Sequence, residues 1–347
     1  MHPIRTAILS FGMSGRVFHA PFIALDPAFE LVGFWERTTN NSLEFYPNAT
    51  IYRSLEDVLN DATIDLVIVN TPTYTHYEYT KKVLLAGKHA VVEKCFTSTT
   101  AEAIELHQIA IEKNLQLSVF QNRRWDSDFK TVKRLIKENW LGNIVEAEIH
   151  FDRFKEELSP KLHKETPGPG AGTLYDLGPH LIDQALCLFG MPDSVFADIS
   201  ITRPGSLVDD YFEILLYYKT IRVRLKSGYQ VREAVPSYII HGNKGSFLKS
   251  RADIQEIELV ANKKPGNKEW GTEPIEEQGL LHTEMNGQII REKVPTMQGN
   301  YADYYSGVAN AINNHTSMPV TAQDGINILQ IIEAAFKSNQ QKVVIDL

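Results

Sequence analysis

Thr6-Ala7-Ile8-Leu9-Ser10-Phe11-Gly12-Met13-Ser14-Gly15 runs from a short apolar stretch straight into a glycine-bearing turn. The first part reads as a buried strand, and the residues after Gly15 have a helical pattern. A turn of this kind exposes backbone N–H groups at a helix start, where they can bind an anion. Gly12 allows close backbone approach, and Gly15 allows the helix to pack tightly on the strand.

These features predict a dinucleotide site in which Gly12, Met13, Ser14 and Gly15 meet the pyrophosphate. The usual pattern is G-x-G-x-x-G, and Ser10 stands at its first glycine position, so the turn alone also suits a plain strand-to-helix connection. Context adds weight, because Glu36 ends the next apolar run about 20 residues on, where a ribose-binding carboxylate is expected. As a ribose acceptor Glu36 points to NAD. Arg37 and Thr38, as donors to a 2′-phosphate, point to NADP.

Working outward, Glu30 to Trp35, Asp65 to Asn70, His89 to Val92 and Leu115 to Phe120 read as further strands alternating with helices. That alternation predicts a parallel sheet of βαβ units. Ser54 with Asp57 and Thr99 with Glu102 read as helix starts, and Gly87 suits a helix end. Thr71 and Pro72 follow the third of the longer strands, on the edge where open α/β sheets bind ligands. His76, close behind, is placed with the cofactor contacts as a secondary member.

Beyond a helix starting near Asp126 the period changes to two. Val145, Ala147, Ile149 and Phe151 alternate with Glu146, Glu148, His150 and Asp152, the pattern of a half-buried strand. Phe212, Ile214 and Leu216, then Ile221, Val223 and Leu225, then Tyr238 and Ile240 repeat it, predicting a mainly antiparallel sheet with one wetter face. Residues 262–274, rich in Lys, Gly and Pro, read as an exposed loop. Ile328, Leu329, Ile332, Ala335 and Phe336 form the stripe of a last helix, with a start signal at Thr321.

The predicted fold class is therefore α/β: a Rossmann dinucleotide-binding domain over 1–122, followed by an α+β domain over 123–347 with a large, open, mainly antiparallel sheet. The second domain is assigned substrate binding and oligomerisation, and its last helix is expected to pack back on the first. With 347 residues, 43% of them hydrophobic, two cores can be filled. The net charge of −8 argues against nucleic acid as a partner. Two cysteines, Cys95 and Cys187, are too few for a disulfide framework or a cysteine-rich zinc site and fit a reducing compartment. No signal-like start and no run of about 18 apolar residues occur, so a cytoplasmic protein without a membrane partner is expected.

The chemistry-bearing residues lie in two further segments. Glu93-Lys94-Cys95 ends the fourth expected strand, where Lys94 can project an ammonium. Asp176-Leu177-Gly178-Pro179-His180 spaces a carboxylate and an imidazole four apart, so that one helix would carry both on one face, with Asp183 extending it. Oxidation of an alcohol needs a base for the hydroxyl proton and a positive neighbour for the developing alkoxide, roles His180 and Lys94 can fill. Asp176 can hold either partner or a substrate hydroxyl. Spacing alone suits equally a helix start with Asp176 as cap and His180 as a packed residue. His180 with Asp183 is the only pair with ligand-like spacing, so no metal is expected.

With Gly12, Gly15, Phe18-His19-Ala20-Pro21, Glu93-Lys94 and Gly172-Thr173-Leu174-Tyr175-Asp176-Leu177-Gly178-Pro179-His180 in order, the chain resembles the Gfo/Idh/MocA oxidoreductases over nearly its whole length. Gln121-Asn122-Arg123-Arg124-Trp125-Asp126, Ile182-Asp183-Gln184 and Leu188-Phe189-Gly190-Met191-Pro192 resemble the branch containing NADP-dependent scyllo-inositol dehydrogenases. The resemblance implies hydride transfer between NAD(P) and a secondary hydroxyl of a cyclic polyol or sugar, with an inositol-like substrate favoured. It implies Lys94, Asp176 and His180 as catalytic residues. It places Thr71, Glu93 and Gln121 beside the cofactor, and Arg123, Trp125 and Tyr175 beside the substrate. A homodimer or homotetramer is also implied.

Three positions depart from that pattern. Ser10 replaces a glycine, Cys95 replaces the proline after the lysine, and Glu36 stands where the branch carries a small hydroxyl residue. NADP is favoured slightly, with Arg37 turned toward the phosphate and Glu36 away. The alternatives are a cofactor-sensing regulator that no longer catalyses, and an NAD-dependent glycosidase of the same fold.

Overall fold

Runs of Val, Ile, Leu and Phe bounded by turn residues form six short strands: β1 (Ile4–Ile8), β2 (Phe29–Trp35), β3 (Thr50–Tyr52), β4 (Leu66–Val69), β5 (His89–Glu93) and β6 (Leu117–Phe120). They make one sheet ordered β3-β2-β1-β4-β5-β6, and every pair is parallel. The order reverses between β1 and β4, the kind of position at which open α/β sheets bind ligands beyond their carboxyl ends. β4 is buried along its whole length, as a central parallel strand with helices on both faces requires.

The computed structural model describes residues 2–347, apart from the side chains of residues 162 and 163. Capping boxes at Ser54 with Asp57 and at Thr99 with Glu102 start two helices as expected. Gly87, at φ +78°, follows the helix His76–Leu85. The first strand ends at Ile8, so Ser10 and Phe11 already belong to the turn. β3 was not anticipated: three residues at a sheet edge are too few to show a period.

The chain divides into two compact units, Met1–Asn122 with Gln255–Trp270 and Asn300–Ile326, and Arg123–Ile254 with Gly271–Gly299 and Asn327–Leu347. Two later segments thus return to the first unit, where one consecutive block had been expected to form the second. Within the first unit, Tyr304 meets Ser118 of β6 at 2.8 Å, and Val119 donates to the Val320 carbonyl. Trp270 is buried there and donates to Gln255 Oε1 at 3.2 Å, so 262–274 is not uniformly an exposed loop.

The second unit is built on nine strands: β7 (Ile144–His150), β8 (Ser194–Ser200), β9 (Tyr211–Tyr217), β10 (Arg222–Gly228), β11 (Tyr238–Gly242), β12 (Gly245–Lys249), β13 (Gly279–Met285), β14 (Gln288–Val294) and β15 (Ile345–Asp346). Their order is β14-β13-β12-β11-β7-β10-β9-β8-β15. All neighbours are antiparallel except β7 and β10. Strict alternation holds in β9, where Phe212, Ile214 and Leu216 are buried. In β7 Ala147 and Ile149 are buried, but Val145 faces solvent.

Helices Ser127–Lys137 and Gly178–Phe189 pack on this sheet. The last helix, Ala322–Gln341, starts at a Thr321–Asp324 cap. From Asn327 onward it belongs to the second unit, and Ser338 and Asn339 accept from the backbone of β8. Its opening residues, up to Ile326, belong to the first unit. No helix among the described residues is long and apolar enough to cross a membrane.

Candidate active site

Gly15 has no substitute in its turn. A Cβ there would stand 1.9 Å from the Ser10 carbonyl oxygen and 2.9 Å from Asn70 Nδ2. The serine at the first glycine position is accommodated because its hydroxyl accepts from Gly12 N–H at 3.1 Å. Asn70, at the end of β4, donates through Nδ2 to the Ser10 carbonyl at 2.8 Å and to Ser14 Oγ at 3.3 Å, tying two strand ends across the switch point. Sequence reading passed over this role of Asn70, whose only signal is its place after a strand. Gly12 and Met13 are exposed at the tip of the turn.

Glu36 does something other than what its position suggested. Its carboxylate accepts from Thr39 Oγ1 (2.6 Å), Asn41 N–H (2.9 Å), Ser42 N–H (3.0 Å) and Ser42 Oγ (2.5 Å). Burial works against the charged form, but these four bonds outweigh it and hold the carboxyl below its ordinary value. A carboxylate offers about four lone-pair sites, and here all are used inside the loop. The expected ribose contact is corrected accordingly. Arg37 and Thr38, next in sequence, are exposed.

Around the ends of β4, β5 and β6, His76 bridges two segments. Its Nδ1 lies 2.8 Å from the Cys95 carbonyl and its Nε2 2.8 Å from the Thr71 carbonyl. Burial lowers the pKa of His76 and favours the neutral ring, which can donate to only one of these two carbonyls, so His76 is held between the segments that begin at Thr71 and Lys94. Glu93 accepts from Lys94 N–H at 3.1 Å and meets the buried His19 at 3.1 Å. His19 in turn meets the Tyr305 hydroxyl at 2.6 Å. The carboxyl of Glu93 is buried, which opposes its charge, yet His19 and the nearby Lys94 hold its pKa down. The Lys94–Cys95 peptide bond is cis. Burial pushes the Cys95 thiol up to about 12, against the nearby Lys94, so it is not an activated thiol.

Two buried acceptors at these strand ends, Asn70 Oδ1 and Gln121 Oε1, have no hydrogen-bond partner. Unmet acceptors of this kind are costly unless a ligand supplies donors. Together with the Gly15 turn, Thr71, Pro72 and the exposed Arg37 and Thr38, they fit a dinucleotide carrying an amide and phosphates.

In the second unit the motif residues fall on two successive helices, Thr173–Asp176 and Gly178–Phe189, divided at Leu177, rather than on one. Gly172, at φ +91°, opens the segment, and a Cβ there would stand 2.0 Å from Asp209 Oδ1. Asp209 also accepts from Leu174 N–H at 2.7 Å. Asp176 pairs with Lys164 at 3.1 Å. Tyr175 stacks on Phe336 at 5.6 Å and lines a cleft of about 270 Å³ with Pro167, Leu207 and Asp209.

His180 is buried, with its ring stacked at 26° on Phe151, centroids 6.5 Å apart. Asp183, three residues after His180 on the same helix, extends that face as expected and is held there by Arg124 with two bonds of 2.6 and 2.8 Å. Arg123 and Trp125 lie on the short turn Asn122–Trp125. Arg123 is 3.6 Å from the buried Asp126, and its backbone carbonyl accepts from Gln184 at 3.3 Å. Among the described residues no cluster of His, Cys, Asp and Glu could hold a metal ion.

A six-stranded parallel sheet with a glycine turn at its switch point, joined to a large mixed-sheet domain, defines a nicotinamide-dependent oxidoreductase of two-domain type. Residues 4–121 match the model "Oxidoreductase family, NAD-binding Rossmann fold", and residues 133–347 match "Oxidoreductase family, C-terminal alpha/beta domain". The chain belongs to the Gfo/Idh/MocA oxidoreductase family, and its cofactor is NAD or NADP.

It is 40% identical to the scyllo-inositol 2-dehydrogenase (NADP(+)) IolW of Bacillus subtilis, over 99% of this chain and 96% of that one. It is 37% identical to the uncharacterized oxidoreductase YdgJ of Escherichia coli, over 99% of each. Among solved structures, an oxidoreductase from Bacteroides fragilis superposes with a TM-score of 0.92 at 45% identity, covering 99% of this chain and 100% of that one. The Bacillus subtilis oxidoreductase YvaA gives 0.95 at 39% identity, covering 99% of each.

Proposed function

We propose that this enzyme transfers hydride between NADP and a secondary hydroxyl of a cyclic polyol or sugar, using Lys94, Asp176 and His180. The observation that carries the reading is the placement of His180, buried and stacked on Phe151, four residues beyond Asp176 on the helix that follows. Similarity along the whole chain to an enzyme named for scyllo-inositol supports the polyol class.

The bound nicotinamide ring supplies the hydride acceptor or donor. His180 takes the hydroxyl proton as the alcohol is oxidised and returns it in the reverse direction. A positioned base of this sort contributes roughly 10² to 10⁴ in rate. Lys94 stabilises the negative charge developing on the substrate oxygen. Asp176 accepts from a neighbouring substrate hydroxyl and orients the ring. Arg123, Trp125 and Tyr175 border the substrate, while Gly12, Met13, Ser14, Gly15, Thr71, Pro72 and Gln121 border the cofactor.

NADP rather than NAD is supported by the withdrawal of Glu36 into its own loop, which leaves Arg37 and Thr38 to meet a 2′-phosphate. The protein is proposed to act in the cytoplasm as a homodimer or homotetramer. Inositols and aldoses, each supplied with NAD and with NADP, test the reading through absorbance of the reduced cofactor. Oxidation of a polyol with NADP is expected; failure of every polyol with both cofactors removes the proposal.

A further inference from the structure

Parallel pairing of β2 with β3 ends where Trp35 stands beside Tyr52, so the next residues, Glu36 and Arg53, leave the sheet side by side. Arg53 is anchored through its own backbone. Its N–H donates to Asp57 Oδ2 at 3.2 Å, and its carbonyl accepts from Trp35 Nε1 at 3.2 Å. From that anchor the guanidinium reaches the loop that follows β2. Nη1 donates to the main-chain carbonyls of Glu36 at 2.8 Å and of Thr39 at 2.7 Å, and Nη2 donates to Asn40 Oδ1.

These bonds bracket Arg37 and Thr38. A carbonyl held on either side fixes the planar peptide units that open and close the stretch, and with them the directions in which the two side chains leave the backbone. The carboxylate of Glu36 secures the same loop through Thr39, Asn41 and Ser42. Arg37 is exposed and makes no hydrogen bond or ion pair among the described residues, so its guanidinium is available to a ligand.

An arginine on a loose loop loses more conformational entropy on meeting a phosphate than one on a fixed backbone. Arg53 supplies that fixing without bringing an acid with it. Its donors go to neutral oxygens of the loop, and it forms no ion pair among the described residues. A carboxylate in its place would repel an incoming phosphate.

We propose that Arg53 is a positioning residue for cofactor choice: by bracketing Arg37 and Thr38 it pre-forms the loop that meets the 2′-phosphate of NADP, without touching the phosphate itself. The inference rests on the reading of Arg37 and Thr38 as the 2′-phosphate contacts, and goes beyond it in assigning selectivity to a residue outside their loop. Because Arg53 binds the main-chain carbonyl of Glu36, this role is separate from that of the Glu36 side chain.

Fluorescence titration of NADPH and of NADH into the full-length protein tests the proposal. The wild type is expected to bind NADPH more tightly than NADH. Arg53→Ala should weaken NADPH about tenfold and NADH by no more than about twofold. Arg53→Met, which keeps much of the stem and removes every donor, should do the same, and it replaces the alanine variant if that one does not fold. In an Arg37→Ala background, loss of Arg53 should cost no more than about threefold in NADPH affinity, because the residue it positions is already gone.

A selective loss of NADPH affinity that largely disappears in the Arg37→Ala background supports the positioning role. Unchanged affinities, or equal losses for the two cofactors, overturn it and leave the NADP reading standing. The full loss persisting without Arg37 also overturns it, since Arg53 would then act on the phosphate by its own charge. A wild type that binds NADH as tightly as NADPH removes the NADP reading and this inference together, and the wild-type titration alone reveals that case.

Discussion

Ser42 gives both its backbone N–H and its hydroxyl to one oxygen of Glu36, at 3.0 and 2.5 Å. The acid at the end of β2 is therefore the anchor of its own loop, and a rule that reads an acid there as a ribose ligand does not apply. In Glu36→Gln the amide nitrogen must face donors, so at least one buried N–H or O–H loses its acceptor. A loss of about 1–3 kcal/mol is expected in chemical denaturation. The preference for NADP over NAD should persist in the variant. A selective loss of NAD use would restore the ribose contact.

Arg37→Ala gives the complementary outcome. One charge-assisted contact to the 2′-phosphate is removed, so kcat/KM for NADP is expected to fall about 10- to 100-fold while that for NAD changes little. Steady-state kinetics with both cofactors decides this. Equal losses for the two would show that Arg37 does not read the phosphate.

Gly15→Ala tests the turn itself. The new methyl would meet a backbone carbonyl 1.9 Å away, and backbone cannot swing aside as a side-chain end can. About 1–3 kcal/mol of stability is expected to go, along with at least tenfold in dinucleotide affinity by fluorescence titration. Unchanged affinity would show that the turn is not where the pyrophosphate rests.

The parts of this fold legible in the sequence were those whose cause is local. The strand before Ser10, the boxes at Ser54 and Thr99 and the alternation through Phe212, Ile214 and Leu216 each follow from neighbours a few residues apart. The return of residues 300–326 to the first unit depends on contacts such as Tyr304 with Ser118, which no local pattern encodes. Of the candidate site, the proposed Lys94, Asp176 and His180 sit in readable motifs, whereas Arg251, about 100 residues on from Phe151 and 4.5 Å from the centroid of its ring, follows an ordinary strand end. Glu36 was misread because its partners are donors of its own loop, and loops lack a period.

Cys95 lies one residue beyond Lys94, and a neighbouring cation lowers a thiol's pKa. Burial wins here and pushes the thiol up to about 12. Brief treatment of the native protein with iodoacetamide at neutral pH should label the half-buried Cys187 and spare Cys95, as read by peptide mass spectrometry. Preferential labelling of Cys95 would mean that the segment after β5 opens readily.

His180→Ala separates chemistry from binding. Loss of a proton acceptor should lower kcat by about 10² to 10⁴, while NADP affinity stays within about twofold. Exogenous imidazole, which can occupy the vacated volume, should restore part of the rate. A fall in NADP affinity as large as the fall in kcat would make His180 a structural residue of the helix Gly178–Phe189.

Asp209 links the active-site segment to pH. Its carboxyl is largely desolvated where it meets Gly172 and Leu174, and burial raises its pKa from 3.8 to about 6 despite the backbone donors around it. Because the folded value lies above the unfolded one, folding favours the protonated acid. The associated stability is fully present below about pH 4 and is lost as pH rises through about 6. A shift of this size corresponds to about 3 kcal/mol at neutral pH. In Asp209→Asn a carbonyl oxygen still accepts from Leu174 N–H, and no charge forms. The variant should match the wild type near pH 4 and exceed it by about 2–3 kcal/mol at pH 7, measured by urea denaturation across that range. Curves that stay parallel at every pH would show that the carboxyl titrates as if exposed, with water reaching it beside Gly172.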